Sequence, residues 1–371
     1  AVAPTLAYAG SPFVLTKNVA MTSAVPVNSG DAATSCSSSP AIATTFSGLS
    51  LGSILLLVAL GLAITYGLMG VINMAHGELM MIGAYATYMV QNLFKAHAPG
   101  AFDWYLAVAV PVAFLVAMLV GVVLERTIIR WLYGRPLETL LATWGISLVL
   151  IQAVRTIFGA QNVQVENPVW MSGGIQAMTN VVLPWSRIVI VFFVAAVLVG
   201  MWLLLTRTRY GTLIRAATQD REMVGALGIH QNRLFTGVFA LGCFLAGLGG
   251  ALQLPREPAN LGLDLTTIGD AFVVVVVGGM GSIPGAYVAA LLIAEIKALC
   301  IGLGTLELWG VSFAFSKLTL VAEFLVMAVV LMVRPWGLMG RPLSEARPPV
   351  AMHHHAALPV AQRRVAWAVV M

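Results

Sequence analysis

The sequence predicts an all-α protein, a polytopic transmembrane helix bundle with about eight to nine membrane segments, some of them short or re-entrant. Three observations predict it. Of 371 residues, 59% are hydrophobic and 9% are charged, against roughly 25% charged in an ordinary soluble domain. Apolar runs, most near the ~20 residues that cross a hydrocarbon core, follow one another along the chain. Arginines gather in alternate loops between those runs. With so few charges and a mean hydropathy of +0.91, a water-soluble surface cannot be built, which excludes a soluble enzyme. Whole-chain disorder is excluded too, because it requires low hydrophobicity and high charge. The basic residues behind the net charge of +5 form no dense patch, so they fit membrane loops and no nucleic-acid partner is expected.

Residues 1–47 are rich in Ala, Ser, Thr and Pro, with Lys17 and Asp31 as their charges, and are expected to form a poorly ordered extension. The membrane domain is expected over 48–341. Its apolar runs lie at 49–72, 78–94, 104–124, 138–158, 184–206, 234–254, 266–280, 282–303 and 317–333. The run Ala271–Gly281 carries five consecutive valines at 273–277 and would be only ~16 Å long as a helix. An isolated strand in lipid would leave backbone groups unpaired, so a half-helix or re-entrant segment is expected there. Residues 342–371, with Pro348-Pro349 and the run His353–His355, are expected to be a disordered cytoplasmic tail. Three adjacent histidines could suggest a metal, but a solvated tail is the preferred reading and no metal site is expected.

Thirteen of the twenty basic residues fall in the loops 125–138 and 207–233 and after the last apolar run, while Lys95, Arg187, Arg256 and Lys317 occupy the alternate loops. The positive-inside rule makes the first set cytoplasmic and puts the C-terminus inside. Cys36, Cys243 and Cys300 are far apart and show no disulfide or metal-ligand spacing. None of the four lysines follows a glycine, so no standard phosphate-binding loop can form and any ATP must be hydrolysed by another polypeptide. No metalloprotease motif is present, and no catalytic residue is expected.

Three patterns carry chemistry. Ile72-Asn73-Met74-Ala75-His76-Gly77-Glu78 sits between two apolar runs. Asn73, His76 and Glu78 are costly there unless they face protein or water. They fit a polar break along a solute pathway, and equally a turn with Gly77 at its tip and Asn73 as helix cap. A second break, Gly278, Gly279 and Gly281, interrupts the valine run, and Gly-Ala-Tyr follows both breaks, at 83–85 and 285–287. Paired interruptions of this kind point to a transporter's substrate path. The loop Arg215–Ile229 reads as one short helix stopped by Gly228, with Ala216, Met223 and Leu227 near one face. Arg215, Asp220, Arg221 and Glu222 would supply a polar rim and Gly225 a close approach, a set suited to docking in a partner's groove or to lying on the chain's own bundle. Asp270, Glu295, Lys297 and Glu323 lie in or beside apolar runs. Glu295 and Lys297, two apart, do not share a helix face, and each acid fits an interfacial position.

The core resembles the permease subunits of ATP-binding-cassette importers for branched-chain amino acids, a family that includes urea permeases. The resemblance is carried by Gly61-Leu62-Ala63-Ile64-Thr65-Tyr66-Gly67, by Ile72–Glu78, by Met81–Tyr85, and by the 215–229 loop. Phe272–Ser282 and Val333-Arg334-Pro335-Trp336-Gly337-Leu338 complete it. Together they span about residues 48–341. The resemblance implies a multi-pass inner-membrane protein working with a periplasmic solute-binding protein, a second and different permease chain, and cytoplasmic ATPases that consume the ATP. No cofactor would be bound by this chain, and 215–229 would be the coupling helix. Arg135–Gly145 and Phe158–Val163 look like the urea branch, whereas 255–303 look like the amino-acid branch. Branched-chain or related amino acids are the favoured solutes, with urea and small amides as the alternative. An ion-coupled secondary transporter using Glu295 or Glu323 and a passive urea channel are the competing classes.

Overall fold

A computed structural model of the chain describes residues 38–159, 162–178, 181–256, 263–303, 305–308 and 311–340. The expected tail at 342–371 and most of the expected N-terminal extension lie outside the described residues. Eleven α-helices appear among them: α1 (Ser38–Met69), α2 (His76–His97), α3 (Tyr105–Thr127), α4 (Pro136–Phe158), α5 (Trp185–Arg207), α6 (Arg209–Gln219), α7 (Arg221–Ala226), α8 (Gln231–Gln253), α9 (Leu263–Gly278), α10 (Ile283–Gly302) and α11 (Thr319–Val333). Each expected apolar run coincides with a helix. The first starts at Ser38, ten residues ahead of the expected domain boundary, with Pro40 in its opening turn, where a missing N–H is harmless.

Six of these helices are long and apolar enough to cross a membrane, and α9 and α11 are shorter apolar helices. The valine run forms α9, a helix of 16 residues, about 24 Å long. Two small antiparallel hairpins join helices: β1 (Gly174–Met178) with β2 (Val181–Pro184), and β3 (Thr305–Leu308) with β4 (Val311–Ala314). The apolar runs alone did not predict these.

The core is built on α1, α2, α3 and α8. The apolar stretch of α1 is 89% buried, and α2, α3 and α8 pack closely on one another. Small residues permit this. A Cβ on Gly83 of α2 would strike the backbone of Gly247 on α8, and one on Gly250 would strike the Met80 carbonyl. Without a hydrophobic driving force in lipid, such close backbone approach supplies the van der Waals contact that holds helices together. A second group, α9, α10 and α11, joins the first through α2. Outward faces carry exposed Leu115, Leu119, Trp144, Phe192, Trp202 and Leu325, the apolar exterior of a multi-pass membrane protein.

Candidate functional site

The first break forms where α1 ends. Gly70 takes φ +65° and its amide donates to the Tyr66 carbonyl at 2.8 Å, so Gly70 ends α1. The turn is centred on Met74 and Ala75 and closed by the His76 amide, which donates to the Asn73 carbonyl at 3.3 Å. Gly77 is not at its tip but buried inside α2. Asn73 Oδ1 accepts from the Ala75 amide at 3.1 Å. It therefore caps the turn ahead of the helix, while the residue preceding α2 is Ala75, which makes no side-chain cap. From α4, Thr143 Oγ1 accepts from the Met74 amide at 3.2 Å, which fastens the linker.

Asn73, His76 and Glu78 are 2%, 0% and 2% exposed, so all three face protein. His76 Nε2 lies 3.0 Å from the Val58 carbonyl of α1. A carbonyl only accepts, so Nε2 carries the proton. Glu78 accepts a hydrogen bond from the Ser147 hydroxyl of α4. The break thus ties α1, α2 and α4 together through polar side chains in an apolar interior.

The second break is a meeting point of backbones. Gly279 and Gly281 have φ +104° and +80°, a region that side chains disfavour. A Cβ on Gly278 would lie 2.5 Å from the Gly285 carbonyl carbon, one on Gly279 2.5 Å from the Gly340 amide nitrogen, and one on Gly281 3.1 Å from Gly67 Cα. The segment after α11 folds back here. The Leu338 and Met339 amides donate to the carbonyls of Val277 at 2.8 Å and Gly278 at 3.2 Å. Gly281 also borders an apolar cavity of about 670 Å³ between α1, α5, α6 and α10.

The loop read as one helix is two. Thr208 caps α6 by accepting from the Gly211 amide at 3.2 Å, and Asp220 caps α7 by accepting from the Met223 amide at 3.0 Å. An aspartate whose carboxylate satisfies a free helix amide sits outside the helix it starts, and this breaks the run at Asp220. Ala216 therefore does not share a helix face with Met223 and Leu227. Ile214, Ala217 and Val224 are buried and anchor the pair, while Met223 and Leu227 are 58% and 73% exposed. Arg215 donates to the Leu205 carbonyl at 2.6 Å, fixing α6 to the end of α5. Gly225 lies against the Gln231 side chain, and Gly228, at φ +83°, ends the unit as expected. The side chains of Arg221 and Glu222 lie outside the described residues.

Two sets of pairings between helices are not visible in the sequence. Lys297 of α10 pairs with Asp270 of α9 at 2.5 Å and with Glu323 of α11 at 3.0 Å. Glu323 is 1% exposed, which corrects the expectation of an interfacial position. Lys297 pairs across helices, where a spacing of two within one helix could not reveal it. Glu125, at the end of α3, is also buried and accepts from Tyr133 at 2.5 Å and from Thr236 at 2.7 Å. Burial and the adjacent Glu125 carboxylate push the Tyr133 phenol well above its ordinary range.

A family model described as the permease component of the branched-chain amino acid transport system matches residues 44–334. BraD of Pseudomonas aeruginosa, named a high-affinity branched-chain amino acid transport system permease protein, is 31% identical over 304 residues, covering 80% of this chain and 95% of BraD. LivH of Escherichia coli, with the same description, is 30% identical over 307 residues, covering 81% and 96%. LivM of Escherichia coli, likewise described, is 26% identical over 268 residues, covering 66% and 61%. No solved structure gives a significant match. The match runs through both breaks and the α6–α7 unit, and the chain belongs to the family of branched-chain amino acid transport system permease components.

Proposed function

We propose that the chain is the membrane-spanning permease subunit of an ATP-binding-cassette importer for branched-chain or related amino acids. A periplasmic binding protein delivers the solute, and separate cytoplasmic ATPase subunits supply the energy. The observation that carries this reading is the α6–α7 unit. Ile214, Ala217 and Val224 hold it to the bundle while Met223 and Leu227 project outward, and the chain lacks a phosphate-binding loop of its own. An apolar pair on a capped, anchored short helix suits a groove on a partner.

The arginine distribution supports a cytoplasmic position for α6–α7 and for the C-terminal end, in a bacterial inner membrane. Eight or nine membrane segments follow if α9 is a half-helix beside its turn at 279–282. Likeness to both LivH and LivM, two different chains of one organism, supports pairing with a second, different permease. Asn73, His76 and Glu78, with Gly278, Gly279 and Gly281, set the two broken helix pairs whose relative movement opens a pathway. The relatives' names favour amino acids over urea.

Proteoliposomes holding this chain with its co-expressed permease and ATPases test the reading. Uptake of labelled leucine that requires both ATP and the binding protein is the expected result. Uptake that persists without ATP and collapses with an uncoupler would make the chain an ion-coupled carrier. Downhill urea flux through the isolated chain would make it a channel.

A further inference from the structure

Beside α7 the chain forms a cleft of about 570 Å³, within the range of roughly 300–1,000 Å³ that ligand-binding clefts occupy. Arg126 near the end of α3, Arg130 in the turn that follows and Arg233 at the start of α8 converge on it. His230 joins them, and Gly225 and Ile229 form the side next to α7. The three arginines and His230 are exposed. None of the three arginines makes an ion pair among the described residues. The acid beside them, Glu125, already has its two oxygens engaged by Tyr133 and Thr236. The cleft therefore gathers three guanidinium groups against one nearby carboxylate, a net positive charge among the described residues, next to a helix that presents apolar side chains.

We propose that this cleft receives an acidic segment of the cytoplasmic ATPase, whose carboxylates seat among Arg126, Arg130 and Arg233 while its neighbouring surface covers α7. The proposal rests on the reading of α6–α7 as the ATPase-docking unit. A lipid headgroup with its acyl chain fits less well. An acyl chain needs a continuous apolar wall, and Ile229 is the one large apolar side chain lining the cleft. Guanidinium forks match carboxylate and phosphate oxygens alike, so it is the lack of an apolar wall that favours protein carboxylates here. Charges in so open a setting act over about 10 Å at 0.1 M salt, so they should govern the rate and salt sensitivity of assembly.

The test uses the full-length permease in nanodiscs of neutral lipid, with its co-expressed ATPase subunits as the probe. Affinity is measured at about 50 mM and about 500 mM salt, either side of the strongly screened regime. Arg126→Glu, Arg130→Glu and Arg233→Glu should each weaken association about tenfold at low salt and flatten its salt dependence. Arg130→Gln should fall between them and the parent chain. If a reversal variant fails to fold, the Arg130→Gln, Arg233→Gln pair carries the comparison, with thermal midpoints as the control. Parent-like affinity and salt dependence in all of these, while Met223→Asp weakens association, would overturn the cleft and leave the docking reading standing. Weakening in the arginine variants alone, with Met223→Asp unaffected, would remove α7 from the contact and overturn the seating of the ATPase over α7. A defect seen only in nanodiscs containing anionic lipid would assign the cleft to a headgroup and overturn the proposal.

Discussion

The Leu338 amide donates to the Val277 carbonyl at 2.8 Å, so the chain after α11 closes the C-terminal end of α9. The last carbonyls of a helix have no partner within it, and in a bilayer an unpaired carbonyl is expensive. Arg334-Pro335-Trp336-Gly337-Leu338 thus has a structural use. It lets α9 stop short without exposing its end.

Gly279→Val should be the most damaging change at this point. It combines φ +104° with a Cβ 2.5 Å from the Gly340 nitrogen. Backbone strain alone should remove about 1–3 kcal/mol, and the overlap adds to it. Gly281→Ala should be milder, because its Cβ meets only Gly67 Cα at 3.1 Å. Thermal unfolding of the purified variants checks the order, and equal loss in both would contradict the packing account.

Lys297→Ala should destabilise more than Glu323→Gln. Removing the lysine leaves the Asp270 and Glu323 carboxylates facing each other without their shared cation, a loss of about 3–5 kcal/mol for a broken buried pair. Glu323→Gln leaves the Lys297–Asp270 pair at 2.5 Å. Denaturation of both variants in one detergent measures the difference, and an equal or reversed order would show that Glu323 dominates the cluster.

Glu78→Leu should lower uptake beyond any loss of membrane abundance, because it deprives Ser147 of its acceptor between α2 and α4. Leaving a buried hydroxyl without a partner typically removes about 1–3 kcal/mol. Glu78→Gln can still accept that bond and should retain more uptake. Uptake normalised to abundance decides, and normal transport in Glu78→Leu would reduce the first break to a turn.

Tyr133→Phe removes the donor to Glu125 and should lower stability at neutral pH by about 1.5–3 kcal/mol. Tyr133's phenol is raised in the fold. Its bond therefore contributes fully below the unfolded value of about 10 and fades as pH rises through the folded value. Stability should fall more steeply above about pH 10 in the parent chain than in Tyr133→Phe. Parallel curves would show that the phenol does not titrate with unfolding.

The helices were legible because lipid demands apolar length, and the valine run at 273–277 was read as a short segment on that ground alone. Gly228 and the glycine break were legible because few residues other than glycine take positive φ. The division at Asp220 was harder to see. Arg221 and Glu222 continue a helical pattern, and only the carboxylate's bond to the Met223 amide separates α6 from α7. Lys297 misled because its partners lie 27 and 26 positions away, on α9 and α11. Glu125 was hidden by its neighbour Arg126, which made the end of α3 read as loop. Pairings between helices depend on how the bundle assembles, and a single sequence does not state them.

Co-purification of the ATPase with Gly225→Trp, together with solute-stimulated ATP hydrolysis, tests most directly whether α6–α7 couples this chain to its motor. A Cβ at position 225 would lie 2.5 Å from Gln231 Nε2, so an indole must push the Gln231 side chain aside and adds bulk beside the exposed Met223 and Leu227. The expected result is a folded, membrane-inserted permease that still engages the binding protein but loses the ATPase or its solute-stimulated hydrolysis. Full ATPase association and full stimulation in Gly225→Trp would contradict the assignment and place the coupling element elsewhere on the chain.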